Sequence, residues 1–212
     1  MDDDAFFLGT MAMAQKYPHF KSHLVFENGE PCVRSTDLSY MTKDEFAPVA
    51  EFLESADYAP RLVKGAYAHL VGVKSISQHE LAAIKAGELW SRAKDLGMID
   101  LLELIRRKIH VQWPLDANVL LFFTSYVFFS PDAGLEIEAR MKRTLMAEIA
   151  DRYHELVKSE PLVLSRLMLG HAQITRAVGK ALYENPVGAG RVGLVDDGED
   201  DDESESDEDG DD

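Results

Sequence analysis

Residues 77–113 read SQHELAAIKAGELWSRAKDLGMIDLLELIRRKIHVQW, a stretch that divides into a helix, a glycine break and a second helix. Ser77 with Glu80 three residues on predicts a capping box, in which each side chain satisfies a backbone N–H of the other residue. From there Leu81, Ile84, Leu89, Ala93 and Leu96 return at helical spacing. Gly97 stands where a left-handed residue closes a helix, a conformation that glycine takes without a Cβ penalty. Asp100 is placed to cap the next helix, whose Leu101, Leu102, Ile105 and Ile109 form one stripe. Glu103, Arg106, Arg107 and His110 take the opposite side. Two amphipathic helices joined by so short a break pack on each other and need a third surface to cover them.

Met41–Pro60, just upstream, supplies that surface. Thr42 and Glu45 repeat the capping-box pattern, and Phe46, Val49, Ala50 and Leu53 then line one face. Pro48 falls early in this helix, where it costs one backbone hydrogen bond. Asp57-Tyr58-Ala59-Pro60 ends the helix.

The run Asp44-Glu45-Phe46-Ala47-Pro48-Val49-Ala50-Glu51-Phe52-Leu53-Glu54-Ser55-Ala56-Asp57-Tyr58 resembles the F-x-x-V-x-x-F-L-Y-T-G-D-Y segment of BTB/POZ domains, in particular those of fungal proteins. Leu89-Trp90-Ser91-Arg92-Ala93-Lys94-Asp95-Leu96-Gly97-Met98-Ile99-Asp100-Leu101-Leu102-Glu103-Leu104 is similar to the V-Y-x-L-A-D-K-Y-x-M-x-x-L helix pair of the same fold, which Skp-like and elongin C-like proteins share. The likeness spans roughly residues 36–112 and is a pattern of apolar spacing, not a catalytic signature. Ala56 stands at the family's Gly, Glu54-Ser55 replaces Tyr-Thr, and Arg61–Glu88 is longer than the family's connection. The family's two N-terminal strands and its H-K-x-x-L helix have no counterpart, so its usual dimer surface is not expected. The resemblance implies protein–protein contact and, by analogy of fold, adaptor work with a cullin.

Outside this stretch, Ala5–Gln15 suits a short helix that Tyr17-Pro18 stops. His23–Glu27 and Pro31–Arg34 around Asn28-Gly29 read as a hairpin, Asn-Gly being the strongest two-residue turn signal. Asp116 is placed to cap Ala117–Phe129, a run so apolar that it must be buried on most sides. Ser130-Pro131-Asp132 predicts a cap and an N1 proline for a helix that carries Ile137, Met141, Leu145, Ile149 and Leu156 inward as far as Lys158. Ser159-Glu160-Pro161 opens another, which Gly170 interrupts and Ile174, Val178 and Leu182 continue to Asn185-Pro186. The expected fold class is mainly α (α+β), a BTB/POZ-like helical cluster with a small N-terminal hairpin. Its expected parts are a partial BTB/POZ-like domain over 1–115, a helical extension packed on it over 116–186, and a glycine-containing linker with a disordered acidic tail over 187–212.

The charge is one-sided. Of 38 acidic residues, 13 lie in Asp196–Asp212, which holds no basic residue; the rest of the chain sets 25 acids against 22 Lys and Arg, a net charge of −3. That body offers no general nucleic-acid surface. The tail, with no apolar residue after Val195, has too little to bury to fold. Its massed charge either serves solubility or steers a basic partner such as a histone or ribosomal protein. Ser204 and Ser206 each have an acid three residues on, as acidophilic kinases prefer, and phosphorylation would deepen the charge. Cys32 is the sole cysteine, so no disulfide framework can form within the chain. The acidic start Met1-Asp2-Asp3-Asp4 is the reverse of a secretory leader, and Val119–Phe129 is too short to span a bilayer. An intracellular protein, cytoplasmic and/or nuclear, is the expectation.

No residue stands out as catalytic, cofactor-binding or metal-ligating. Gly188-Ala189-Gly190-Arg191-Val192-Gly193 matches G-x-G-x-x-G by letter, but a dinucleotide site needs a strand before it and a helix after it. Here a helix precedes and the acidic tail follows, so it reads as a linker. His19 and His23 have metal-compatible spacing only on a helix, which Pro18 and the extended character of 23–26 argue against. The other histidines (His69, His79, His110, His154, His171) are scattered singly. Cys32 has no activating base in view. Ile105-Arg106-Arg107-Lys108 reads as a solvated basic face near a helix C-terminus. The functional expectation is a non-catalytic interaction module, with no small-molecule substrate, cofactor or membrane partner. The alternative is an acidic-tail chaperone for basic proteins.

Overall fold

The computed structural model describes residues 15–34, 38, 41–63, 68–129 and 133–184. The expected helix over Ala5–Gln15, the cap at Ser130-Pro131-Asp132, the G-x-G-x-x-G letters and the acidic tail lie wholly or almost wholly outside them. The described residues are mainly α with a small β component. In chain order they form α1 (Pro18–Ser22), β1 (Leu24–Glu27), β2 (Glu30–Val33), α2 (Lys43–Ser55), β3 (Leu62–Val63), β4 (His69–Leu70) and α3 (Ile76–Asp95). Then come α4 (Ile99–Val111), α5 (Ala117–Phe129), α6 (Glu136–Asp151), α7 (Tyr153–Ser159), α8 (Pro161–Gly170) and α9 (Ala172–Glu184).

A helix does end before Pro18, residues 15–16 being helical and Tyr17 not, and Pro18 then opens α1 at its first position, where the missing N–H would have no partner anyway. β1 and β2 pair antiparallel, with Val25 opposite Cys32 and Glu27 opposite Glu30. Asn28 and Gly29 both take positive φ (52° and 85°), the requirement of the tight primed turn that Asn-Gly supplies. β3 and β4 form a second, shorter antiparallel pair.

The Thr42–Glu45 capping box is complete at the start of α2, and Pro48 sits inside the helix without ending it. The box of α3 lies two residues upstream of its expected place, at Ser75 and Gln78. Gln78 Oε1 accepts from the N–H groups of both Lys74 (2.9 Å) and Ser75 (3.1 Å), so this register satisfies an additional orphan donor. Leu81 does not join the buried stripe and is half exposed, whereas Ala83, Leu89, Trp90 and Ala93 are buried. Gly97 closes α3 at φ 66°. Asp100 is not the cap of α4: Met98 holds that position without a side-chain bond, and Asp100 pairs from the first turn with Lys16 at 2.6 Å.

α5 carries the expected cap, Asp116 Oδ1 accepting from Asn118 N at 3.1 Å. It lies against α3, whose Gly87 leaves room for the Tyr126 ring; a Cβ there would stand 2.6 Å from Tyr126 Cδ2. Trp90 and Phe123 meet edge to face in the same layer, centroids 6.3 Å apart. α6 begins at Glu136, five residues beyond the expected proline start, and the expected long helix breaks at Arg152. There the guanidinium leaves the helix face to donate to Leu115 O at 2.6 Å and to Glu155. Pro161 at the first turn of α8 and the end of that helix at Gly170 match the sequence pattern. One hydrophobic cluster runs from Tyr17 and Phe20 through the α2–α6 helices to Ile174 and Val178 on α9, so residues before and after 115 share it.

Candidate functional site

The stripe Leu101, Leu102, Ile105 and Ile109 is buried as expected, but the basic run beside it divides. Arg107 is exposed, Arg106 pairs with Glu103, and Lys108 is 1 % exposed. Its ammonium donates to Tyr58 O (2.5 Å) and Pro60 O (2.8 Å), lies 2.6 Å from Asp57 Oδ1 and sits 3.5 Å above the Tyr58 ring. Asp57 also accepts from the N–H groups of Tyr58 (2.8 Å) and Leu62 (3.1 Å). Lys108 is therefore the peg on which the turn after α2 hangs, not part of a solvated face. Burial pulls its pKa below the ordinary lysine value against the pull of Asp57, while burial, and next the Asp57 charge, raise that of Tyr58. The signal was present in the spacing: Lys108 lies seven residues after Leu101 and three after Ile105, on the apolar side.

A second buried ionic group joins α3 to α6. Glu138 is fully buried and holds Lys94 (2.5 Å) and Lys142 (2.8 Å) on one oxygen, while the other accepts from Ala133 N at 3.0 Å. Lys142 also lies 5.5 Å from the Phe128 ring centre, and Phe128 meets His171 at a tilt of 56°, ring centres 5.4 Å apart. Burial, and secondly the Lys142 charge, lower the pKa of His171. At the outer edge of the α2–α3 contact, Glu45 accepts from Thr42 and from Arg92 (2.8 Å), and the Thr42 N–H bond foremost draws its pKa down to about 2.

A cleft of about 380 Å³ opens between the start of α3 and the α4–α5 junction. Val111, Leu115 and Val119 form its apolar lining, and Trp113 and Ile76 border it. His79, Glu80, Gln112 and Asp116 supply its polar groups. The Gln112 amide N–H donates to Lys108 O at 3.0 Å, which leaves its buried Oε1 without a donor among the described residues.

Apolar side chains also reach the surface elsewhere. On α8, Leu162 and Leu169 lie two turns apart on one face at 71 % and 87 % exposure, and Tyr183 near the end of α9 is 89 % exposed. Cys32 is half-buried on β2 opposite Val25. His19 and His23 do come together, rings 4.6 Å apart, because α1 is helical from Pro18. Among the described residues no three His, Cys, Asp or Glu are grouped as a metal site, and no helix is long and apolar enough to cross a membrane.

No family model matches the chain, and neither a curated protein nor a solved structure does.

Proposed function

We propose that the chain is a non-catalytic protein–protein interaction module of BTB/POZ type, with a cullin scaffold as the first partner to test. The observation that carries the reading is the backbone at Ala56. This residue stands where the family pattern places glycine, and it is left-handed at φ 57°, a conformation that only glycine adopts freely. The order of the two matched segments adds support: α2 and that left-handed turn come first, and the end of α3, Gly97 and α4 follow, with the β3–β4 pair in the longer connection between them. The exposed Leu162, Leu169 and Tyr183 give such a module apolar surface to offer a partner.

A second reading rests on the tail. Thirteen acids within Asp196–Asp212 suit a binder or chaperone of basic proteins such as histones, acting in the cytoplasm or nucleus. Affinity purification from the native cell of the full chain, beside a version ending at Gly193, separates the two. A cullin held by both versions, and lost when the α2 surface around Met41–Tyr58 is altered, supports the BTB-type reading; its absence from both counts against an adaptor. Basic partners that leave with the tail and with added salt support the second.

A further inference from the structure

We propose that the cleft between α3 and the α4–α5 junction receives an arginine side chain of a partner protein. The inference deepens the interaction reading by naming the chemistry of the segment that one surface would take.

The cleft is lined by two carboxylates, Glu80 and Asp116, and by no lysine or arginine. Glu80 is half-buried and its carboxylate makes no hydrogen bond or ion pair among the described residues. Such a group gains from a cation that enters, since each carboxylate left unmatched on a low-dielectric wall attracts opposite charge more strongly than one in open water. Asp116 spends one oxygen on the cap of α5 and keeps the other. Trp113, half-buried at the rim, adds an aromatic face, and a planar guanidinium stacks on an indole while donating sideways to carboxylates. The apolar side of the cleft, Val111 and Leu115, suits the methylene stem of the same side chain. At about 380 Å³ the space is at the low end of the roughly 300–1,000 Å³ of ligand sites, which fits one long side chain rather than a folded cofactor.

The test titrates the full chain with the blocked peptide Gly-Gly-Arg-Gly-Gly and with its citrulline counterpart, the same shape without the charge. The indole N–H resonances of the chain's two tryptophans are followed: Trp113 at the cleft, and fully buried Trp90 as an internal control. The expected result is a saturable shift of Trp113 with the arginine peptide, none with citrulline, and no change at Trp90. Glu80→Gln weakens the binding about fivefold, and Asp116→Asn, which retains a capping oxygen, weakens it less. The proposal is overturned if the arginine peptide leaves Trp113 unmoved, even when calorimetry detects binding through the acidic tail. It is equally overturned if citrulline shifts Trp113 as well as arginine does, or if Glu80→Gln binds like the parent. A missing cullin in the purification would not alter this titration, so the two ideas fail separately.

Discussion

Lys108 Nζ and Asp57 Oδ1 stand 2.6 Å apart, a link from the last turns of α4 to the second residue beyond the end of α2. The lysine side chain is 2 % exposed and the aspartate 22 %, so the pair is buried on one side only. Removing the aspartate strands an ammonium among two carbonyls and also frees the N–H groups of Tyr58 and Leu62. Asp57→Ala should cost about 3 kcal/mol, the lower end of the range for breaking a buried pair. Lys108→Met keeps the stem and removes the charge that would be stranded, so it should cost less. The double variant should be less destabilised than the two single losses added together, a non-additivity that urea denaturation of all four proteins measures.

Ala56 at φ 57° pays a conformational penalty of about 1–2 kcal/mol for its Cβ. Glycine removes it but gives the unfolded chain more freedom, worth about 0.4–1 kcal/mol in the other direction. Ala56→Gly should therefore raise stability by about 0.5–1 kcal/mol, although glycine substitutions usually lower it. A rise in thermal midpoint shows this; a fall would mean that the turn is not left-handed in solution.

Glu45 ties the N-terminus of α2 to Arg92 on α3 and is held at a pKa of about 2, below its ordinary 4.5. A carboxylate depressed in the folded state contributes stability above its unfolded value and loses it as pH falls through the folded one. The loss belongs to the window from about pH 4.5 down to about pH 2. The Glu45 side chain is 39 % exposed, and solvent screening reduces its contribution to about 1 kcal/mol. Glu45→Gln should lose about that much at pH 7 and show a correspondingly flatter acid limb in denaturation followed against pH.

The helical skeleton was legible because apolar spacing and caps are local. Thr42–Glu45, the Asn28-Gly29 turn, Gly97 and the α4 stripe all stand where their residues place them. Ser75-Ile76-Ser77-Gln78-His79-Glu80 contains two overlapping cap patterns, and only Gln78's second backbone partner, Lys74 N, decides between them. That partner is a matter of loop path, which periodicity does not carry. Lys94, Lys142 and Glu138 look like surface charges in a window of sequence, and only the spacing of Lys108 from Leu101 and Ile105 marks it as inward. Lys94, Lys108 and Glu138 each meet a charge from another helix or a turn, a fact of packing at separations of 44 residues or more for Lys94–Glu138 and Lys108–Asp57, while Lys142 meets Glu138 one turn away on α6. The cleft was invisible for the same reason, since α3 and the α4–α5 junction build it jointly.

Glu138 serves two lysines and a backbone N–H while fully buried, and this concentrates the consequence of losing it. Glu138→Ala leaves Lys94 and Lys142 in proximity without their shared counter-charge, and Ala133 N loses its acceptor. Repulsion between the two cations adds to the loss of their shared carboxylate, so the loss should reach about 3–5 kcal/mol. Glu138→Gln keeps the shape and an acceptor oxygen but removes the charge, and should fall between parent and Ala. Lys142→Met in the Glu138→Gln background removes one of the two cations that the amide no longer neutralises. Recovery of part of the lost stability in that double variant, read from urea midpoints, is the expected outcome. A further loss would mean that Lys142 is held by the Phe128 ring more than by Glu138.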